Sequence, residues 1–357
     1  VPKGEYLQYG GQAIIEGVMM RSPRYFSIAC RAPNGEIVIQ TEAIEKTWIG
    51  RQKWLKYPFL RGSLALLDSM ALGTKAMRFA SAIQIDPKYG GDAQAPGALE
   101  AAVETAGVAV PKETPKRVQD ASIVGALVVS LVFGVALFDY LPNLVAEWSR
   151  GWMGIKKGES GTITNVVAEV VKAAIFFGYI GLIGLMPDIQ EVFRYHGAEH
   201  KAINALEHDR PLEVGPCLSE SRIHPRCGTS FAIIVLLVGF VVFAFLPRYP
   251  LGEQASKIFN VTVRFAMELV ILPLIAGVSY ELLRLAGRFR DQKLVNAAFQ
   301  PGMWSQRLTT REPQAKHVEV AVAALQACLD AEAGNHGPVP KEGDDFESAP
   351  PLPGVGL

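Results

Sequence analysis

The sequence predicts a mainly α protein. The expected architecture is a four-helix transmembrane bundle with a small N-terminal β unit and cytoplasmic amphipathic helices. Three observations lead there. Four apolar stretches fall at about 121–141, 164–186, 231–246 and 261–283, and a membrane-spanning helix needs roughly 20 mostly apolar residues. Residues 10–48 instead carry short β-rich runs punctuated by turn signals. Hydrophobic side chains make up 49% of the 357 residues, which is high for a chain living wholly in water.

In the β unit, Ala13-Ile14-Ile15 and Val18-Met19-Met20 flank Glu16-Gly17. Phe26-Ser27-Ile28-Ala29-Cys30 then leads through Asn34-Gly35 to Ile37-Val38-Ile39, and Asn-Gly between two such runs is the strongest short hairpin signal. Glu16 and Arg21 flank the Val18-Met19-Met20 run and read most simply as a surface ion pair. From 58 to 85, Leu60, Leu64, Leu67 and Met70 keep helical spacing, for a helix on the bundle or on a membrane surface. Residues 86–118 carry Gly90-Gly91, Pro96, Pro111 and Pro115 without periodicity and read as a linker.

Among the four spans the first and fourth reach full length, and the third is short. Glu169 and Lys172 open the second; Arg264, Glu268 and Pro273 lie in the fourth. Lys112, Lys116 and Arg117 precede the first span, five basic residues separate the second from the third, and Arg284, Arg288, Arg290 and Lys293 follow the fourth. By the positive-inside bias both termini face the cytoplasm, in a multi-pass protein of the bacterial inner membrane. Residues 1–6 show no apolar signal-peptide core. Val318, Val322, Leu325 and Leu329 predict an amphipathic helix over 314–332, and the Gly/Pro/acid-rich tail at 334–357 should be disordered. The expected units are therefore 1–57 (β unit), 58–85 (helix), 86–118 (linker), 119–187 (spans one and two), 188–228 (His/Cys segment), 229–285 (spans three and four), 286–333 (cytoplasmic helices) and 334–357 (tail).

Composition excludes several classes. Lys plus Arg equals Asp plus Glu at 35 each, so no basic excess points to nucleic acid. The four cysteines form no Cys-x-x-Cys pair and are scattered, which suits a reducing compartment better than a disulfide framework. No Gly-rich nucleotide loop appears. The partner the sequence names is the lipid bilayer; a homo-oligomer or a cytoplasmic protein partner stays open.

The chemistry-bearing stretch is Tyr195-His196-Gly197-Ala198-Glu199-His200-Lys201. On a helix His196 and His200 share one side, and Glu199 lies three residues from His196. Two such imidazoles can grip one ion while the carboxylate acts on a bound water. The order His-x-x-Glu-His is that of the inverted zinc peptidases. Gly197 weakens the helix but lets another backbone approach. Downstream, His224-Pro225-Arg226-Cys227 adds two more natural zinc ligands just before span three, and Glu281 stands at the same end of span four. Glu268 is a second downstream carboxylate, and Cys227 also reads as a candidate nucleophile, ranked below metal ligation.

Gly11-Gln12-Ala13-Ile14-Ile15-Glu16-Gly17-Val18-Met19-Met20-Arg21, the His196–His200 motif, His224-Pro225-Arg226-Cys227-Gly228-Thr229-Ser230 and Leu308-Thr309-Thr310-Arg311-Glu312-Pro313 together resemble the YqhQ-like family of bacterial integral membrane proteins. The resemblance runs from about residue 10 to 329, apart from the linker. It implies a membrane protein with a metal site and names no substrate.

Three function classes follow. The first is a cytoplasm-facing, metal-dependent hydrolase: His196 and His200 hold a divalent ion, zinc by ligand type, with His224, Cys227 or Glu281, and Glu199 is the general base. The second is a non-catalytic scaffold or partner-binding protein stapled by a closed structural zinc. The third is a small transporter using Glu169, Lys172, Arg264 and Glu268, against which stands the lack of an internal repeat.

Overall fold

A four-stranded antiparallel sheet lies between two layers of helix, and a set of apolar helices extends from it. The computed structural model describes residues 9–44, 57, 59–91, 129–155, 161–225, 227–252, 254–288 and 293–334. Strands β1 (Gly10–Ile14), β2 (Gly17–Arg21), β3 (Tyr25–Arg31) and β4 (Ile37–Ala43) pair in sequence order. The β3–β4 connection uses Asn34-Gly35, with Gly35 at φ 91°, as the hairpin signal requires. The β1–β2 turn places Glu16 at φ 48°, an uncommon conformation for a residue with a side chain.

The pleat sends alternate side chains to opposite layers. Met19, Phe26, Ile28 and Cys30 pack on Leu72, Ala76, Phe79 and Ala80 of α1 (Leu60–Ile85). Val18, Met20 and Ala29 pack on Tyr195, Ala198 and Ala202 of one helix and on Val318, Ala321 and Leu325 of another. Covering both faces explains the unbroken apolar run Val18-Met19-Met20. Each fully buried Val, Ile or Leu side chain here contributes about 1.5–3 kcal/mol.

The remaining helices are α2 (Val129–Met153), α3 (Gly161–Ile183), α4 (Pro187–Glu207), α5 (Val214–Leu218), α6 (Gly228–Ala244), α7 (Lys257–Arg288), α8 (Lys293–Thr309) and α9 (Ala315–Glu332). Among the described residues, three helices are long and apolar enough to cross a membrane: α2, α3 and the Ile258–Leu283 part of α7. The fourth apolar helix, α6, has 17 residues and is shorter than a full span, so the expected four-span bundle appears as three long apolar helices and one short one. Exposed Val129, Leu131, Val132, Phe133, Leu182, Val241 and Val270 give these helices an apolar outer surface, and Trp148 and Trp152 stand together near the end of α2, as aromatic side chains do at a bilayer interface.

Several expectations shift. The first span was expected to end at 141, before Pro142, but α2 continues to Met153. A π-turn at Ala136–Tyr140, closed by Leu141 N–H donating to Ala136 O, widens the helix just before the proline and accommodates its ring. The expected linker starts later than 86. Residues Pro87–Tyr89 form a 3₁₀ turn whose Asp86 side chain accepts from Lys88 N–H, and Asn34 N–H donates to Tyr89 O. Its remainder at 92–118, the tail from 335, Arg226 and the basic residues Lys112, Lys116 and Arg117 lie outside the described residues. Glu16 and Arg21 do not pair with each other. Arg21 bridges to buried Asp68 of α1 at 2.7 Å, and Glu16 accepts from Tyr195 O–H at 3.1 Å.

Helix α9 docks by its apolar face and by carboxylates at both ends. Glu332 accepts from Ser22 Oγ at 2.8 Å and from Arg24 N–H at 2.7 Å. Glu191 of α4 accepts from His317 Nε2 at 2.9 Å, from Arg194 at 2.6 Å and from Lys316. Burial alone would push the Glu191 carboxyl up, but the hydrogen bonds from Lys316, His317 and Arg194 outweigh it and hold it down at about 2. A carboxylate depressed on folding stabilises above its unfolded value, and that contribution is lost as pH falls towards the folded value. Between about pH 5 and pH 2 the protein should therefore lose stability from this carboxyl, on the order of 1 kcal/mol once solvent screening of its ion pairs is allowed for. Denaturant melts at pH 6 and pH 3 check this: the acid-induced loss should shrink in Glu191→Gln. An equal loss in both proteins contradicts the assignment.

Candidate metal centre

Pro187 supplies the first turn of α4, a position where its missing N–H costs nothing. The helix then carries His196 and His200 one turn apart, with ring centroids 4.5 Å from each other. Cys227 is the N-cap of α6. His196, His200 and Cys227 each offer a ligand atom, and all three atoms lie within 4.8 Å of one another.

The imidazole tautomers follow from their partners. His196 Nδ1 lies 2.8 Å from Thr309 O, and His200 Nδ1 lies 2.7 Å from Arg222 O. A carbonyl can only accept, so both Nδ1 atoms carry the proton and both Nε2 atoms present a lone pair. A backbone carbonyl behind a histidine is the usual outer support of a metal ligand. His196 Nε2 reaches Cys227 Sγ at 3.1 Å, while His200 Nε2 is buried without a hydrogen-bond partner among the described residues. The sulfur also accepts from Thr229 N–H at 3.4 Å and meets Thr229 Oγ1 at 3.1 Å.

This donor set fits a divalent ion of the zinc kind. Zn–N and Zn–S bonds at tetrahedral angles place ligand atoms about 3.5 Å apart, inside the separation found here. An orphaned, buried Nε2 on His200, one turn from the His196 Nε2 that meets the thiol, is otherwise a cost without an offset.

The two carbonyl supports come from different segments. Thr309 ends α8. Arg222 lies in the segment after α5, which α4 grips: Lys201 Nζ donates to Leu218 O and Glu220 O at 2.7 and 2.6 Å, and Asn204 donates to Ser221 O at 2.7 Å. Lys201 also bridges to Glu312 at 2.7 Å. Gly197 meets the Arg311 backbone closely, since a Cβ there would sit 2.2 Å from Arg311 O. The glycine's expected role, room for another backbone, is what the structure shows.

Glu199 points from the same helix towards β1. It is 4% exposed, and a Cβ on Gly11 would lie 3.0 Å from its Cγ and Cδ. Burial pushes its carboxyl up to about 7, against the pull of His196 and the Gly11 N–H. Its Oε2 has no partner among the described residues. Tyr195, one turn earlier, is pushed up by burial and by the adjacent Glu16 carboxylate, so it stays a neutral donor.

Two expected ligands stand apart from this group. His224 is buried with its ring 5.8 Å from that of His200, and its Nε2 lies 3.2 Å from Glu207 Oε1. Gln306 of α8 fixes its backbone, accepting from His224 N–H at 2.9 Å and donating to His224 O at 2.7 Å. Glu281 accepts from Phe59 N–H at 3.4 Å, where α7 meets the start of α1. Neither belongs to the three-residue group. Sequence reasoning missed the carbonyl supports at Thr309 and Arg222, which leave no side-chain signature. Thr229 and Gly11 were visible only as members of longer motifs.

Residues 57–331 match the family described as "Protein of unknown function (DUF1385)". The chain is also similar to "Uncharacterized protein YqhQ" of Bacillus subtilis (strain 168), at 31% identity over 327 residues, which covers 91% of this chain and 93% of that relative. No solved structure matches.

Proposed function

The chain belongs to the DUF1385 family, and for it we propose a membrane metalloenzyme that holds a divalent ion, zinc by ligand type, on His196, His200 and Cys227 and performs hydrolysis at the cytoplasmic face. The observation that supports this reading is the gathering of His196, His200 and Cys227 with one ligand atom each within 4.8 Å of the others, each histidine backed by a carbonyl.

Three protein donors, with His224 turned to Glu207, favour a site with a coordination position for water or substrate over a closed structural one. The ion would supply Lewis acidity there. His196 and His200, their rings fixed by the Thr309 and Arg222 carbonyls, would hold it. Glu199, a buried carboxylate with an unpartnered oxygen one residue from His200, takes the proton of the attacking water and returns it to the leaving group. The concentration of Lys and Arg beside the α3–α6 connection supports the cytoplasmic placement.

The test uses full-length protein purified in detergent. About one zinc per chain is expected in the wild type and in Glu199→Gln, with loss in His196→Ala and Cys227→Ala. In cobalt-substituted protein, acetohydroxamate should shift the visible spectrum by entering the open position. A metal-free wild type contradicts the metal reading, and a cobalt spectrum indifferent to acetohydroxamate favours the structural staple. The His196 Nε2···Cys227 Sγ contact of 3.1 Å supports one second reading, a thiol–imidazole dyad. Metal-free protein whose Cys227 is alkylated much faster than that of His196→Ala would favour it.

A further inference from the structure

Five ionisable side chains meet inside the long apolar helices, three acidic and two basic. Lys172 of α3 lies 3.2 Å from Glu169 and 3.1 Å from Glu268. Arg264 of α7 lies 3.1 Å from the second oxygen of Glu268 and donates to Asn165 Oδ1 at 2.8 Å and Phe243 O at 3.0 Å. Both bases and two of the acids are thus paired. The fifth member, Asp139 of α2, is 4% exposed, and both its carboxylate oxygens are buried with no hydrogen-bond partner among the described residues.

Asp139 sits in the π-turn Ala136–Tyr140, a helix irregularity frequent at functional sites. The turn aims it at a cavity of about 180 Å³ between α2 and α7. Its charged neighbours are Glu268 and Arg264 from α7 and Lys172 and Glu169 from α3. The other titratable groups at this turn are Tyr140, within it, and Tyr179 of α3, edge-on to Phe138. Arg248, which precedes α7, reaches Asn143, about 6 Å of helical rise from Asp139, and there its charge is matched by Glu147 at 2.9 Å; Arg150 lies about 16 Å further along α2.

With every group ionised, the cluster holds three negative charges against two positive ones. The surplus would fall on the one carboxylate with no donor, in an apolar setting where an unpaired charge is costly. A cation could balance it, but a metal ion of the alkali or alkaline-earth kind needs about six oxygen ligands. The cavity offers Asp139 with Tyr140 and Thr262 among Val135, Ile258, Val261 and Phe265. A proton needs one oxygen and no cage.

We propose that Asp139 is a proton-binding site, so that the three-acid, two-base cluster carries one proton within the apolar helices. Losing that proton would set a third negative charge beside Glu268. Protonation of Asp139 and the packing of α2 against α3 and α7 are therefore linked. This site is separate from the His/His/Cys group and does not rest on the hydrolase reading.

Infrared spectroscopy of the full chain in lipid nanodiscs tests this, with aspartate labelled by ¹³C in the side-chain carboxyl. At pH 7 a protonated-carboxyl band should be present, shift with the label and vanish in Asp139→Asn. The labelling arm needs no substitution, so it stands even if that variant fails to fold. Wild-type protein without a label-sensitive protonated band overturns the proposal, as does a band that persists in Asp139→Asn. A band removed by added sodium chloride at constant pH assigns the site to a monovalent cation and likewise overturns it.

Discussion

Replacing Gly197 by alanine is expected to destabilise the protein by about 3 kcal/mol and to release the metal. The added methyl would lie 2.2 Å from Arg311 O and 3.3 Å from Pro313 Cδ. The first neighbour is backbone and cannot swing aside as a flexible side chain would. That segment is tied on both sides, by Arg311 N–H to Phe193 O at 2.9 Å and by Arg311 Nη2 to Gly184 O at 3.0 Å. Displacing it moves Thr309, whose carbonyl fixes the tautomer of His196. Stability and metal content should therefore fall together. Gly178→Ala in α3 is the control: nothing stands within 4 Å of its would-be Cβ, and helix propensity favours the change. Denaturant melts with metal analysis on both variants check this. A Gly197→Ala protein of wild-type stability contradicts the packing described.

Arg264→Met should cost about 3–5 kcal/mol, the usual penalty for removing one partner of a buried ion pair. Arg264 is among the largest fully buried side chains and donates to Glu268, Asn165, Phe243 O and Pro247 O. Through them it joins α3, α6 and α7. Its loss leaves Glu268 beside Lys172 alone and removes the charged donor from the Phe243 and Pro247 carbonyls near the end of α6. Pairing it with Glu268→Gln removes the stranded charge, so the double variant should recover part of the loss. Thermal melts in detergent measure both. A single variant within 1 kcal/mol of wild type, by the same constant, would mean the network adds little to the fold.

Much of this architecture was legible in the sequence, where local chemistry and periodicity decide structure. Asn34-Gly35 marked its hairpin, Val318 to Leu329 marked α9, and the four-residue step from His196 to His200 marked the shared face. What escaped depends on tertiary contact. Arg21 chose Asp68, 47 residues on, over nearby Glu16, because α1 covers that face of the sheet. His224 and Cys227 stand three apart, yet the loop ahead of α6 sends them to different partners, Glu207 and His196. Glu281 shared an expected membrane depth with the histidines, but depth says nothing about direction around the bundle. Asp139 went unremarked in the apolar run at 121–141, because the π-turn that aims it has no signature in the sequence beside Pro142.

The two sites also divide the molecule chemically. The His/His/Cys group gathers soft and borderline donors at the junction of α4, α6 and α8, backed by carbonyls. The Asp139 cluster gathers hard charges between α2, α3 and α7. Nothing in the ligand chemistry of one suits the other, so loss of either should leave the other measurable.

X-ray absorption at the metal edge of the purified full-length protein tests the central claim most directly. Two nitrogen scatterers, one sulfur and at least one light oxygen ligand are expected, with the sulfur lost in Cys227→Ala. Stoichiometric metal with four protein donors and no oxygen, or no bound metal at all, would contradict an open centre on His196, His200 and Cys227.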